Sequence, residues 1–261
     1  MLPEEVDDFP SPLWLPLVEH LLPLERPLAV ISPCLGLDAA GHALQGLGAR
    51  WVTIAGCDSD ESLWHPLEWL YGPGLAGHHI RLGAAGNILL HDINSWPVAD
   101  LIISGPPCPP WSTIGVARGR GDHREAVFAK VTEVLVDQGC RGAAVFVIEM
   151  VPGMLHVPAG REHSPWQEWI TELCRRAPSW EVRAWPVNSS WYLPQERARV
   201  YTVGYNRRRT DAPLPPAPTS SDIMAFPLPL ATALNLHLPP VREQPLTFQQ
   251  LANRQGRKAA S

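Results

Sequence analysis

From residue 28 onward the chain repeats one pattern, a short apolar run that stops on a glycine, an acid or a cysteine and is followed by a stretch of helical periodicity. The runs are "LAVIS", "WVTIAGCD", "NILLHDI", "ADLIISG" and "AAVFVIEM", with "RAWPVN" and "ARVYTVGY" later. Between them "AAGHALQGLG", "DHREAVFAKVTEVLVDQG" and "SPWQEWITELCRRA" read as helices, the first closed by Gly46 or Gly48. Strands that alternate with helices predict an α/β fold, a mostly parallel sheet with helices on both faces. Ligands of such sheets bind beyond the carboxyl ends of the strands. Asp58, Asp92, Cys108 and Glu149 stand at the ends of their runs and are therefore expected at one sheet edge.

The fourth run leads into "SGPPCPPWSTIG", where four prolines flank Cys108. Proline fixes φ, removes an amide donor and biases the preceding residue toward extended backbone. The stretch is therefore a stiff loop, which suits either a rigid turn around a buried thiol or a loop that aims a nucleophile. No GxGxxG follows the first strand, so this is not a dinucleotide fingerprint.

At 45% hydrophobic and 18% charged residues the chain reads as globular. The 29 prolines gather near the start, around Cys108 and between Asp211 and Pro245. The five cysteines, Cys34, Cys57, Cys108, Cys140 and Cys174, are odd in number and contain no CxxC. This points to reduced thiols in an intracellular compartment, nucleus or cytoplasm, and not to a disulfide scaffold. His78, His79 and His91 carry no metal-ligand spacing, and no metal is expected. The opening has no apolar signal core, and no apolar run reaches the ~18 residues of a membrane span. Because the net charge is −5, nucleic-acid binding would rest on local clusters: Arg118, Arg120 and Arg124, or Arg197, Arg199 and Arg207 to Arg209.

Three segments in order resemble the S-adenosylmethionine-dependent cytosine-5 DNA methyltransferases. "DLIISGPPCPPWS" is similar to that family's nucleophile loop, "VFVIEMVPGM" to its ENVPG strand end, and "YLPQERARVYTVGY" to its arginine motif. The resemblance runs over residues 28–205 and faintly over 246–257. It implies a Rossmann-like sheet and methyl transfer to carbon 5 of cytosine in DNA through a covalent cysteine adduct. It also implies a role for each matching residue. Cys108 is the nucleophile, Glu149 contacts ring N3 and the exocyclic amine, Arg199 holds the base carbonyl, and Arg197 lies nearer the loop and backbone. Gln195 braces the segment, while Trp111 and Ser112 pack the loop. Carbon 5 needs this help because a thiolate adding at carbon 6 makes it enamine-like, and a free thiol is only about 3% thiolate at pH 7.

For the cofactor S-adenosylmethionine the resemblance implies Gly36, Asp58 on the ribose hydroxyls with Asp60 behind it, Asp92 at the adenine amine, Ile93 on its face, and Pro106. The family's F-x-G reads Cys34-Leu35-Gly36 here, and the leucine is expected to narrow the glycine-lined approach. Met150 replaces an asparagine that braces the loop. About 40 proline-rich residues stand where a recognition domain is expected, so the member reads as reduced or truncated. The expected organisation is an N-terminal extension (1–27), a catalytic domain (28–205), a proline-rich linker or vestigial recognition region (206–245) and a helix remnant (246–261). DNA is the expected partner, with RNA possible through the branch that methylates tRNA, and a protein partner could supply recognition. A catalytically impaired regulatory relative is the alternative from a different class. A Cys108–His123 thiol enzyme is a third reading that no residue pattern singles out.

Overall fold

The computed structural model describes residues 26–46, 49–107, 123–189 and 196–209. Cys108, Trp111, Ser112, Arg118, Arg120 and Gln195 lie outside these residues, as do the side chain of His123, the extension before Arg26 and everything after Arg209.

Seven strands form one sheet: β1 (Leu28–Pro33), β2 (Trp51–Asp58), β3 (Ile80–Leu82), β4 (Leu101–Ser104), β5 (Val145–Met150), β6 (Trp180–Asn188) and β7 (Ala198–Asn206). Their order is β3-β2-β1-β4-β5-β7-β6. The first five strands pair in parallel, while β7 runs antiparallel to both β5 and β6. The order reverses between β1 and β4, the switch point at which such sheets bind ligands. The Rossmann-like α/β expectation therefore holds.

Alternation along the central strands explains the two cores. Ile31, Ile102, Phe146 and Ile148 face Phe128, Val131, Val134 and Leu135 of the helix α3 (His123–Arg141) and Leu173 of the helix α4 (Pro165–Arg176). Their neighbours Val30, Leu101 and Val145 face the other way, toward Leu44 of the helix α1 (Ala39–Gly46). Both faces are dry, which is why these strands read as unbroken apolar runs. Gly204 of β7 lies against Phe146, and a β-carbon there would meet the ring at 2.1 Å. α4 starts with a reciprocal cap, in which the Gln167 amide donates to Ser164 Oγ at 3.2 Å and the Ser164 amide to Gln167 Oε1 at 2.9 Å.

One expected strand is absent. "NILLHDI" forms two 3-10 turns, Ile88–Leu90 and Ile93–Ser95, and the third strand is the earlier Ile80–Leu82. The polar residues decide this. Asn87 Oδ1 accepts from the Leu89 amide at 3.1 Å and Asp92 Oδ1 from the Asn94 amide at 3.1 Å. These local bonds compete with a sheet ladder, while Ile88 and Ile93 still reach the core. The helix α2 (Trp64–Tyr71) was not anticipated; it follows a turn capped by Asp60, whose Oδ1 accepts from the Ser62 amide at 2.9 Å.

Among the described residues no helix is long and apolar enough to cross a membrane, and no cluster of metal-ligating side chains occurs.

Candidate active site

The ends of β1 and β4 are tied at the switch point by Ser104 Oγ, which donates to the Pro33 carbonyl at 2.5 Å. Gly105 and the buried Pro106 follow, and they lead into the cysteine loop. Beside them, Ser104 pairs with Ile148, so Glu149 stands at the end of β5 next to Gly105. A β-carbon on Gly105 would lie 3.4 Å from Glu149 Oε2.

The other carboxylate oxygen is held from β7. Glu149 pairs with Tyr201 across the antiparallel ladder, which puts Arg199 diagonally beside it on the same face. Arg199 Nε donates to Glu149 Oε1 at 2.7 Å, and Arg197 Nη2 approaches the same oxygen at 3.4 Å. Arg199 Nη1 is turned onto its neighbour's carbonyl, Ala198 O, at 2.7 Å. Arg197 is positioned through its backbone, because its amide donates to Asn188 Oδ1 at 3.2 Å and its carbonyl accepts from the Ser189 amide at 3.1 Å. Asn188 is thus a positioning residue that sequence reasoning missed. Met150, next to Glu149, is 2% exposed and packs in the core beside Met154.

A second group forms between β1 and β2. Asp58 accepts from the Gly36 amide at 2.9 Å and from the Asp60 amide at 3.0 Å, one on each oxygen. Gly36 has φ +56°, and nothing lies within 4 Å of where a β-carbon would stand. The Ser62 hydroxyl and amide hold the Asp60 carboxyl below its ordinary range. The expectation for Leu35 is corrected here. Its side chain does not narrow the approach, because it is 8% exposed and packs with Leu67 and Leu75. Just beyond, buried Asp38 accepts from the Gly41 amide at 3.0 Å and from the Tyr71 hydroxyl, fixing the start of α1. The "LDAAG" capping pattern was the signal for it.

Asp92 and Ile93 stand between β3 and β4. Asp92 is exposed and on a turn, not at a strand end. It lines a groove of about 500 Å³ with Ile54, Gly56, His79, Arg81, His91 and Trp96, so the groove reaches β2 two residues before Asp58. Ile93 is 6% exposed within the core. Arg207, Arg208 and Arg209 follow the far end of β7 and so stand at the opposite sheet edge from Glu149.

Burial argues against Cys34, Cys57 and Cys174 as nucleophiles. Burial pushes the Cys34 thiol up to about 12, with Cys57 and Asp58 adding to it, and the Cys57 thiol up to about 11. Cys174 is raised by the same cause, and Cys140 is exposed.

The residues at the switch point suit S-adenosylmethionine. Open space at Gly36 leaves room for a ligand against the backbone, and Asp58 offers acceptor oxygens of the kind ribose hydroxyls need.

Comparison with known proteins gives the family and the fold. The chain is 33% identical over 116 residues to the type II methyltransferase M.BanI of Aneurinibacillus aneurinilyticus, covering 44% of this chain and 25% of that protein. It is 28% identical over 181 residues to M.FnuDI of Fusobacterium nucleatum, covering 69% and 46%. The chain thus spans between a quarter and a half of the length of these relatives. Among solved structures, Dnmt2 methyltransferase of S. pombe superposes with a TM-score of 0.50 at 15% identity, covering 77% of this chain and 55% of that one. A mutant of Spodoptera frugiperda DNMT2 gives 0.50 at 16%, covering 73% and 56%, so the sheet is shared at low identity. The family description "C-5 cytosine-specific DNA methylase" matches residues 54–242, a span that takes in Glu149, Arg197 and Arg199, and the chain belongs to that family.

Proposed function

We propose that the chain transfers a methyl group from S-adenosylmethionine to carbon 5 of cytosine in DNA, with Cys108 as the covalent nucleophile. The observation that carries this reading is the Arg199–Glu149 pair at the mouth of the cysteine loop. Cys108 is three positions on from Gly105, so their Cα atoms are at most ~11 Å apart.

A cytosine turned out of the duplex reaches such a pocket. The Cys108 sulfur adds to carbon 6, a sulfur–carbon bond forms, and the ring electrons move toward carbon 5 and N3. Glu149 holds a proton at N3, which offsets that charge, and Arg199 donates to the base carbonyl. With Nε and one N–H of Nη1 engaged, Nη2 and the second N–H of Nη1 remain as Arg199 donors for the base among the described residues. S-adenosylmethionine, when bound, supplies the electrophilic methyl group. Gly36 and Asp58 would hold it, with Asp60 behind and Pro106 flanking, and Asp92 and Ile93 would meet the adenine from the turn they stand on. Residues 28–205 would form the catalytic domain and 206–245 the linker or reduced recognition region.

The test is trapping on a duplex that carries 5-fluorocytosine, with labelled cofactor. The intact chain should form a covalent adduct and Cys108→Ala none; no adduct from the intact chain rejects the activity. A second reading, an impaired relative kept for binding, rests on Met150 lying buried where the resemblance expects a loop-bracing asparagine. Failure of the purified chain to bind S-adenosylmethionine would favour it.

A further inference from the structure

The two edges of the sheet differ in charge. Asp58, Asp60, Glu61 and Glu149 stand at the carboxyl edge of the parallel strands, together with Arg197 and Arg199. At the opposite edge most strands are entered or left through an arginine. Arg26 precedes β1 and Arg50 precedes β2. Arg141 closes α3 ahead of β5, and Arg176 closes α4 ahead of β6. The run Arg207–Arg209 follows β7, which reaches this edge because it opposes β5. All are exposed except the half-buried Arg207.

Contacts join them into one row. Arg26 grips Asp100 through two bonds of 2.6 and 2.8 Å. Burial works against the Asp100 carboxylate, yet the Arg26 bond and the charges of Arg26 and Arg209 hold it below its ordinary range, which places Arg209 nearby. Arg208 Nη1 donates to the Cys140 carbonyl at 3.4 Å, beside Arg141. The Cys140 thiol in turn lies 3.8 Å from the Arg176 carbonyl. Acids also stand along the row: Asp100 with Arg26, Asp137 with Arg141, Glu181 with Arg183 and Arg207, and Glu172 with Arg175 near Arg176. The arginines outnumber these carboxylates in a chain whose net charge is −5.

We propose that this edge is a second duplex-DNA contact surface, one that grips phosphate backbone without reading sequence. Exposed guanidiniums spaced along an edge match successive phosphates. Glu149 pairs with Tyr201, so the five-residue step to Asn206 at the end of β7 separates this edge from Glu149 by roughly 17 Å. A duplex with a persistence length of about 150 base pairs does not fold around that distance. The surface therefore takes a second duplex or a distant tract. It rests on the proposed function only in that the chain meets DNA.

The test titrates the full chain with a labelled A·T-only duplex of about 15 base pairs across a range of salt. The intact chain should bind two duplexes, and R208Q/R209Q should bind the second more weakly. The log–log salt slope of the second event should fall by about 1.8, at ~0.9 per lost phosphate contact. R50Q/R176Q, from elsewhere in the row, should weaken the same event, and both variants should keep the wild-type yield of Cys108 adduct. One duplex per chain before and after substitution, or an unchanged slope, overturns the proposal. So does displacement by polyglutamate as effective as by unlabelled duplex of equal charge, which would mark the edge for an acidic polypeptide. If the intact chain forms no adduct while R208Q/R209Q binds its second duplex more weakly, the methyl-transfer reading fails and this surface stands.

Discussion

Arg199 Nε donates to Glu149 Oε1 at 2.7 Å across the β5–β7 ladder, and the pair stands open to solvent, with the acid 34% and the arginine 23% exposed. An ion pair so exposed adds at most about 1 kcal/mol to stability, and under the proposed mechanism its value lies in what it presents to a base. Glu149→Ala should leave the melting temperature nearly unchanged while slowing adduct formation roughly 100-fold or more. Arg199→Lys keeps the charge but loses the planar fork and should fall between. Single-turnover trapping measures both, and a Glu149→Ala rate within a factor of about two of wild type would remove the acid from the mechanism.

The sheet was legible because Ile31, Ile102 and Phe146 alternate with Val30, Leu101 and Val145, and both sets are apolar. Glu149 and Arg199 were legible because strand registers fix them, and a motif records a register. Asp92 was not, because its neighbourhood is decided by side-chain bonds to the Leu89 and Asn94 amides that a hydrophobicity pattern does not register. Leu35 was misread for a related reason. Its direction depends on positive φ at both Cys34 and Gly36, which turns it into the Leu67 and Leu75 cluster. Of the basic edge only the Arg207–Arg209 run was legible along the chain, since the other arginines are scattered from Arg26 to Arg176 and only topology gathers them.

Leu35 anchors the loop that carries Gly36, and its partners Leu67 and Leu75 are 0% and 2% exposed. Leu35→Ala should cost ~2–4 kcal/mol by opening a cavity there. It should also weaken S-adenosylmethionine binding more than Leu173→Ala, a cavity of similar kind against α3 and the sheet. Urea unfolding and cofactor titration of the two variants decide this; equal loss of affinity in both would make the effect one of general stability.

Asp100 is the hub of the far edge. It accepts from the Ala29 amide at 2.9 Å as well as from Arg26, and its side chain is 8% exposed. Burial alone would raise it, but these partners hold it below its ordinary value of 3.8. Its folded-state value is depressed, so the stability it contributes is present above pH 3.8 and lost as pH falls through the lower folded value. Asp100→Asn should cost roughly 1–3 kcal/mol at neutral pH, and urea midpoints should converge with wild type in acid. A difference that stays constant with pH would separate the residue from that titration.

The buried thiols behave in the opposite sense. Cys34 and Cys57 rise from 9.0 to about 12 and about 11, chiefly through burial, so the folded chain keeps protons that the unfolded chain releases. Their contribution is complete below pH 9 and is lost as pH climbs toward those values. Burial, together with the bond to Asp38, pushes Tyr71 the same way. The melting temperature should therefore fall as pH rises beyond 9, and C34A/C57A should show a shallower fall despite a lower starting point. At mildly alkaline pH a thiol alkylator should label exposed Cys140 and spare Cys34 and Cys57, as mass mapping of the native chain would record. Labelling of Cys34 at the rate of Cys140 would show that the cofactor loop opens freely, contradicting the anchoring by Leu35.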